Sequence, residues 1–234
     1  MCGIVGLHLR DPSLYPRLGT LLATMLIQMT ERGPDSAGVA VYRDRDDRGT
    51  SGTDLAIYKN IGPPADLVAA CDLASAQGWQ GLGHTRMATE SAVTPQGCHP
   101  FSVGPDQCLV HNGSFANHAT IRRDLQAAGI TFDSQNDSEV GARFIARRLD
   151  QGEDLDDALR ALCETFDGFY TLLVTSADGF AVVRDAIACK PAVIAETSAW
   201  VAMASEYRAL AGLPGIAGAR IFEPEPEKVY AWRR

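Results

Sequence analysis

What this chain lacks narrows the field first. Nowhere among its 234 residues do eighteen apolar residues run together, so no membrane-spanning helix is expected. The N-terminus lacks a basic region followed by an apolar stretch and a cleavage site, which argues against export and for the cytoplasm. Positive charge is not in excess: the formal net charge is −8, and binding a phosphate backbone requires a basic face, so no nucleic-acid partner is expected. Close cysteine pairs are missing too. Cys2, Cys71, Cys98, Cys108, Cys163 and Cys189 show no paired spacing, so free thiols are expected rather than disulfides. A long polar linker, a low-complexity run and a repeated unit are all absent, which leaves a single domain over residues 1–234. Only 43–52 reads as a solvated surface loop.

What is there suffices for a packed core, with 46% hydrophobic residues. Leu18, Leu21, Leu22, Met25, Leu26 and Met29 recur at helical spacing. Helical patterns are predicted again over 65–76, 118–128, 137–148 and 155–166. Short apolar segments predict strands at 4–9, 39–42, 55–58, 82–86 and 108–111, then at 169–175, 180–184, 192–195, 200–204, 220–222 and 228–232. Strands, then helices, then strands again suggest stacked antiparallel sheets covered by helices, not alternating βαβ units.

Chemistry-bearing residues gather at the ends of these segments. Cys2 stands directly behind Met1. Removal of Met1 would give it both a thiol and a free α-amine, groups that titrate near about 8.5 and about 7.7 to 8.0, so the amine can serve as the thiol's base. Taken alone, a small residue at position 2 is unremarkable. Arg32-Gly33-Pro34-Asp35-Ser36-Ala37-Gly38 makes a tight turn after the first helix, Gly83-His84-Thr85-Arg86 ends a strand, and His111-Asn112-Gly113 ends another. Asp137-Ser138-Glu139 opens a helix, and Ala204-Ser205-Glu206 comes late.

In this order, and with His99-Pro100-Phe101, these pieces resemble the class II glutamine amidotransferase domains, which belong to the N-terminal nucleophile hydrolases. The resemblance covers most of the chain. It implies an α+β fold, a four-layer αββα sandwich of two antiparallel sheets covered by helices. It also implies hydrolysis of the glutamine side-chain amide through a Cys2 thioester, giving glutamate and ammonia. By the same resemblance Asn112 and the Gly113 N–H form an oxyanion hole, Arg86 forks onto the substrate carboxylate, Asp137 pairs with its ammonium and Thr89 completes the pocket. Arg32 and Gly33 shape the turn beside the terminal amine. The chain looks like a solitary glutaminase subunit feeding ammonia to a separate synthase subunit. The stand-alone subunits of glutamate-synthase-like systems, including N-methylglutamate synthase, are the nearest relatives by this resemblance. Flavin and iron–sulfur centres would sit in that partner, and no cofactor is expected in this chain. Met87, Ser114 and Ala188 depart from the family pattern, where an aromatic, an acidic residue and Gly are usual.

Plainer readings stand beside these. Asp137 is also a helix-start charge, with Asn136 and Glu139 as a capping box. Asn112-Gly113 is a common hairpin turn, Arg86 could serve a surface ion pair, and His84, His99 and His111 suit structural hydrogen bonds. Cys98, His99, Cys108 and His111 offer four zinc ligands, but without a close Cys pair no metal is expected. Two other function classes remain: an N-terminal cysteine hydrolase of another amide, and a noncatalytic assembly subunit of the same fold.

Overall fold

The computed structural model describes residues 2–44, 53–87, 94, 97–104 and 106–234. In chain order the strands and helices are β1 (Gly3–Leu9), α1 (Leu18–Ile27), β2 (Ser36–Asp44), β3 (Thr53–Ile61), α2 (Pro64–Ala70), β4 (Gln80–Arg86), β5 (Phe101–Val103), β6 (Gln107–Phe115), α3 (His118–Ala127), α4 (Asp137–Asp150), α5 (Leu155–Thr165), β7 (Gly168–Thr175), β8 (Gly179–Arg184), β9 (Val193–Glu196), β10 (Trp200–Ala204), β11 (Arg220–Phe222) and β12 (Tyr230–Arg233). They fall into two units, Met1–Pro100 with Ala192–Glu223 and Phe101–Pro191 with Pro224–Arg234.

The first unit is built on a seven-stranded sheet in the order β11-β9-β10-β1-β4-β2-β3, with every pairing antiparallel. β1 is buried along its whole length, which is why it reads as a continuous apolar run instead of a clean alternation. Its odd-numbered residues Val5, Leu7 and Leu9 pack with Leu18, Leu22, Met25 and Leu26 of α1. The even-numbered positions of β1 and β4 therefore stand on the face away from α1. Helix α1 stops at Ile27, short of the predicted end, yet Met29 is still fully buried in the same core. The helix predicted over 65–76 is broken: α2 ends at Ala70 and a 3₁₀ turn, Leu73–Ser75, follows. The break falls at Asp72, whose backbone takes the left-handed conformation (φ 47°) that no α-helix contains.

The second unit has a five-stranded antiparallel sheet in the order β12-β8-β7-β6-β5. Leu109 and Phe115 of β6, Tyr170, Leu172 and Val174 of β7, and Ala181 and Val183 of β8 pack with Ile121, Val140, Ile145, Leu159 and Leu162 from α3, α4 and α5. Helices thus cover one face of this sheet as well. Neighbouring positions such as Val110, Leu173 and Val182 are fully buried on the opposite face. The expected α+β class, two antiparallel sheets with helices, is the class observed.

Two local readings are corrected here. Asn112-Gly113 is not a hairpin turn: β6 runs on to Phe115, with Asn112 opposite Thr171 and Gly113 opposite Tyr170. The reciprocal capping box at α4 is also absent. The Asn136 side chain does accept from Ser138 N at 2.9 Å. Glu139, however, turns to the preceding loop and accepts from Asp133 N, Ser134 N and the Ser134 hydroxyl at 2.8, 2.7 and 2.7 Å.

Candidate active site

In the first unit, sheet register gathers the residues around Cys2. Gly3 pairs with Thr85 on one side of β1 and Val5 with Ala204 on the other. One step further along the first ladder sets Cys2 level with Arg86, and two steps along the second set Gly3 level with Glu206. Arg86, at an even position of β4, lies on the face away from α1 and is buried, so it is not a surface ion-pair residue. Thr85 points the other way and donates its hydroxyl to Met29 O at 3.1 Å.

The turn after α1 closes over this end of the sheet. Asp35 N donates to Arg86 O at 3.1 Å. A Cβ on Gly33 would fall 2.5 Å from the Arg86 carbonyl carbon, so only glycine allows the turn to lie this close to β4. Arg32 Nε donates to Cys2 O at 2.9 Å, and its Nη1 meets Glu206 Oε1 at 2.7 Å. Arg32 and Gly33 thus sit in the turn that lies against Cys2 and Arg86. Ser205 completes the hold: its N–H donates to Ile4 O and its hydroxyl accepts from Ile4 N, both at 2.9 Å. From sequence alone Ser205 and Glu206 carry no assigned role. No local pattern could have assigned one, because their partners lie about 200 and 174 residues away in the chain.

The second unit carries Asn112, Gly113 and Asp137. Asn112 is on the face of its sheet away from the helices and is almost fully buried, yet its side-chain Nδ2 has no hydrogen-bond partner among the described residues. A buried amide donor left open costs about 1–3 kcal/mol, so it asks for an acceptor that is absent here. Gly113 has φ 151°, and a Cβ there would lie 2.0 Å from Phe169 O. Both the backbone conformation and the approach of β7 demand glycine.

Asp137, at the start of α4, is tied to the end of β6: Oδ2 accepts from Phe115 N at 2.9 Å and Oδ1 from the Ser138 hydroxyl at 3.3 Å. His111 supports the same corner through Nδ1, 2.8 Å from Ser138 Oγ and 4.0 Å from Asp137 Oδ2. Burial pushes the His111 pKa down, opposed by the nearby Asp137 carboxylate and aided by Lys190. The ring is therefore neutral at pH 7, a structural role in keeping with its reading from sequence. His84 and His99 stack on one another with centroids 4.0 Å apart.

Thr89 lies outside the described residues. Cys98 and His99 belong to the first unit and Cys108 and His111 to the second. Among the described residues no group of three or more His, Cys, Asp or Glu side chains is placed to hold a metal ion. Of the positions that depart from the family pattern, Ala188 explains itself. It adopts φ 50°, where glycine is favoured, and is held there by Asp185 Oδ2, which accepts from its N–H at 3.2 Å, and by Arg184, which donates to its carbonyl. Among the described residues no helix is long and apolar enough to cross a membrane.

Two antiparallel sheets with helices are the fold class of the N-terminal nucleophile hydrolases. Glutamine phosphoribosylpyrophosphate amidotransferase from B. subtilis, complexed with ADP and GMP, shares the fold with a TM-score of 0.78 at 23% identity, over 99% of this chain and 49% of that one. The glutamine amidotransferase domain family matches residues 84–212. The glutamine amidotransferase-like protein GlxB of Rhizobium meliloti (strain 1021) is 45% identical over 295 aligned residues, covering 99% of this chain and 98% of that protein. The chain belongs to the glutamine amidotransferases of class II, a family of enzymes. Glutamine--fructose-6-phosphate aminotransferase [isomerizing] of Mycobacterium bovis is 36% identical over 185 residues, but the matched region spans only 28% of its length.

Proposed function

We propose that residues 1–234 act as one glutaminase domain that hydrolyses the side-chain amide of glutamine. The Cys2 thiol attacks the amide carbon while its own α-amine takes the thiol proton. Asn112 Nδ2 and Gly113 N–H donate to the oxygen on which charge develops. The amine then returns the proton to departing ammonia, leaving a thioester that water cleaves to glutamate and free Cys2. Arg86 holds the substrate carboxylate bidentately, Asp137 its ammonium, and Thr89 completes the pocket. The observation that carries this reading is the buried, partnerless Asn112 amide beside a glycine that tolerates no side chain. It is a donor prepared for an acceptor that arrives with the substrate.

Ammonia protonates in water and diffuses away, so we assign its use to a separate synthase subunit of the glutamate-synthase-like kind. That subunit, and not this chain, would carry flavin and iron–sulfur groups. The cytoplasm is the compartment proposed. Support comes from the glutamine amidotransferase-like relative, 98% of which the match covers. Glutamine turnover by the Met1-processed protein tests the core of this reading. Cys2→Ala is expected to abolish glutamate formation, and turnover surviving in that variant overturns the proposal. Simple acyl amides hydrolysed as fast as glutamine would point instead to a general amide hydrolase.

A further inference from the structure

Cys2 directly precedes Gly3, the first paired residue of β1, and is itself outside the ladder, so something must fix the direction in which its thiol and amine point. The contacts that do so come from the turn after α1 and, behind it, from the far end of the chain. Arg32 Nε caps the Cys2 carbonyl at 2.9 Å, and a guanidinium aims its donors as one rigid plane. What sets that plane is Glu206: its Oε1 lies 2.7 Å from Arg32 Nη1. Glu206 is itself held from the other side, with Oε2 2.8 Å from Arg208 Nε, while Arg208 Nη1 reaches Glu31 Oε2 at 2.7 Å. Arg32 is nearly buried and Glu206 about one third exposed. An ion pair with one buried arm is costly to break, because the buried charge is left uncompensated.

We propose that Glu206 is a positioning residue for the nucleophile: it orients Arg32, and Arg32 fixes the Cys2 backbone and with it the thiol and amine. Glu206 touches no reacting atom. Its removal lets Arg32 turn away and frees rotation at residue 2, while glutamine binding through other residues is unaffected. A displacement of the order of 1 Å at a reacting group can cost about a hundredfold in rate, so a tenfold effect from partial freedom is reasonable. The inference rests on the glutaminase reading for its kinetic test, but not for its second readout.

The experiment compares the Met1-processed wild type with Glu206→Ala, Glu206→Gln, Arg32→Ala and the Arg32→Ala/Glu206→Ala double variant. Glutamine turnover and the rate of Cys2 alkylation by iodoacetamide, followed by mass spectrometry of the N-terminal peptide, are measured for each. Glu206→Ala is expected to lower kcat about tenfold with KM within about twofold. Glu206→Gln, which keeps an oxygen for Arg32 Nη1, restores most of the loss. The double variant is no slower than Arg32→Ala, because the two residues act in series. An unchanged kcat in Glu206→Ala, fully additive losses, or a rise in KM alone overturns the inference. If the wild type turns over no glutamine, the glutaminase reading fails and alkylation decides the inference separately. A changed Cys2 alkylation rate in Glu206→Ala that returns toward wild type in Glu206→Gln supports it, and equal rates in all variants overturn it.

Discussion

Beside Cys2 the holding contacts are ionic and reach across the sequence: Arg32 to the Cys2 carbonyl, Glu206 to Arg32, Arg208 to Glu206. Around Asn112 and Asp137 they are steric and backbone-borne: a glycine pressed against Phe169 O, a carboxylate on Phe115 N, and a buried neutral histidine. Ionic holding is adjustable and charge-sensitive, whereas steric holding admits almost no substitution. The ionic contacts beside Cys2 are therefore expected to fail gradually on mutation, and the steric ones around Gly113 abruptly.

The largest effect expected in the second unit is on rate. Asn112→Ala should cost about 10²–10³ in kcat, the usual loss of one oxyanion donor. It should leave the melting temperature unchanged or raised, because the deleted donor has no partner among the described residues. A stability loss without a rate loss would show that Asn112 is structural. Next comes Gly113→Ala, which must accommodate a Cβ 2.0 Å from Phe169 O and a φ of 151°. Urea denaturation should report a loss of about 3 kcal/mol or more. Gly104→Ala is the control: its φ is 80° but nothing among the described residues lies within 4 Å of an added Cβ, so it should cost only about 1 kcal/mol.

Smaller effects concern pH. Burial raises the Glu139 carboxyl, but the donors from Asp133, Ser134 and Arg143 outweigh it and leave its pKa below the ordinary carboxylate value. A depressed pKa stabilises the fold above the unfolded value, near 4.3, and that contribution is lost as pH falls through the folded value. Glu139→Gln should therefore cost about 1–3 kcal/mol at pH 7 by denaturant titration, with the gap to wild type closing in acid. His111 is shifted the opposite way from a paired histidine. Its lowered pKa means that the fold keeps it neutral while the unfolded chain charges near pH 6.5. Stability is full above that pH and declines below it, by at most about 1.4 kcal/mol per pH unit. A flat stability profile between pH 6.5 and 5 would contradict this assignment.

Strand and helix positions were largely legible because both cores are repetitive. Leu18, Leu22, Met25 and Leu26 mark α1 at a spacing of three and four, and β10 begins and ends where its apolar run does. The break in 65–76 was not legible, since Asp72 is a poor signal for a left-handed residue and the apolar spacing continues past it. The environment of Asn112-Gly113 was misread because a dipeptide favoured in turns also suits a strand where β7 passes too close for a side chain. Glu139 was read as a local cap, and the folded loop at Asp133 and Ser134 captured it instead.

Sequence by itself determined the family, because a cysteine behind Met1, Arg-Gly-Pro-Asp, His-Asn-Gly and Asp-Ser-Glu in one order are local chemical signatures that survive without any contact map. It likewise determined the sheet-and-helix class, since periodicity of burial is written residue by residue. Only the tertiary structure decided what holds the functional groups in place. Arg32 meeting Cys2 and Glu206, Ser205 clasping Ile4, and Phe169 excluding any side chain at position 113 are distances between residues far apart in the chain. Such distances arise from sheet register and packing, and a linear pattern carries no record of them.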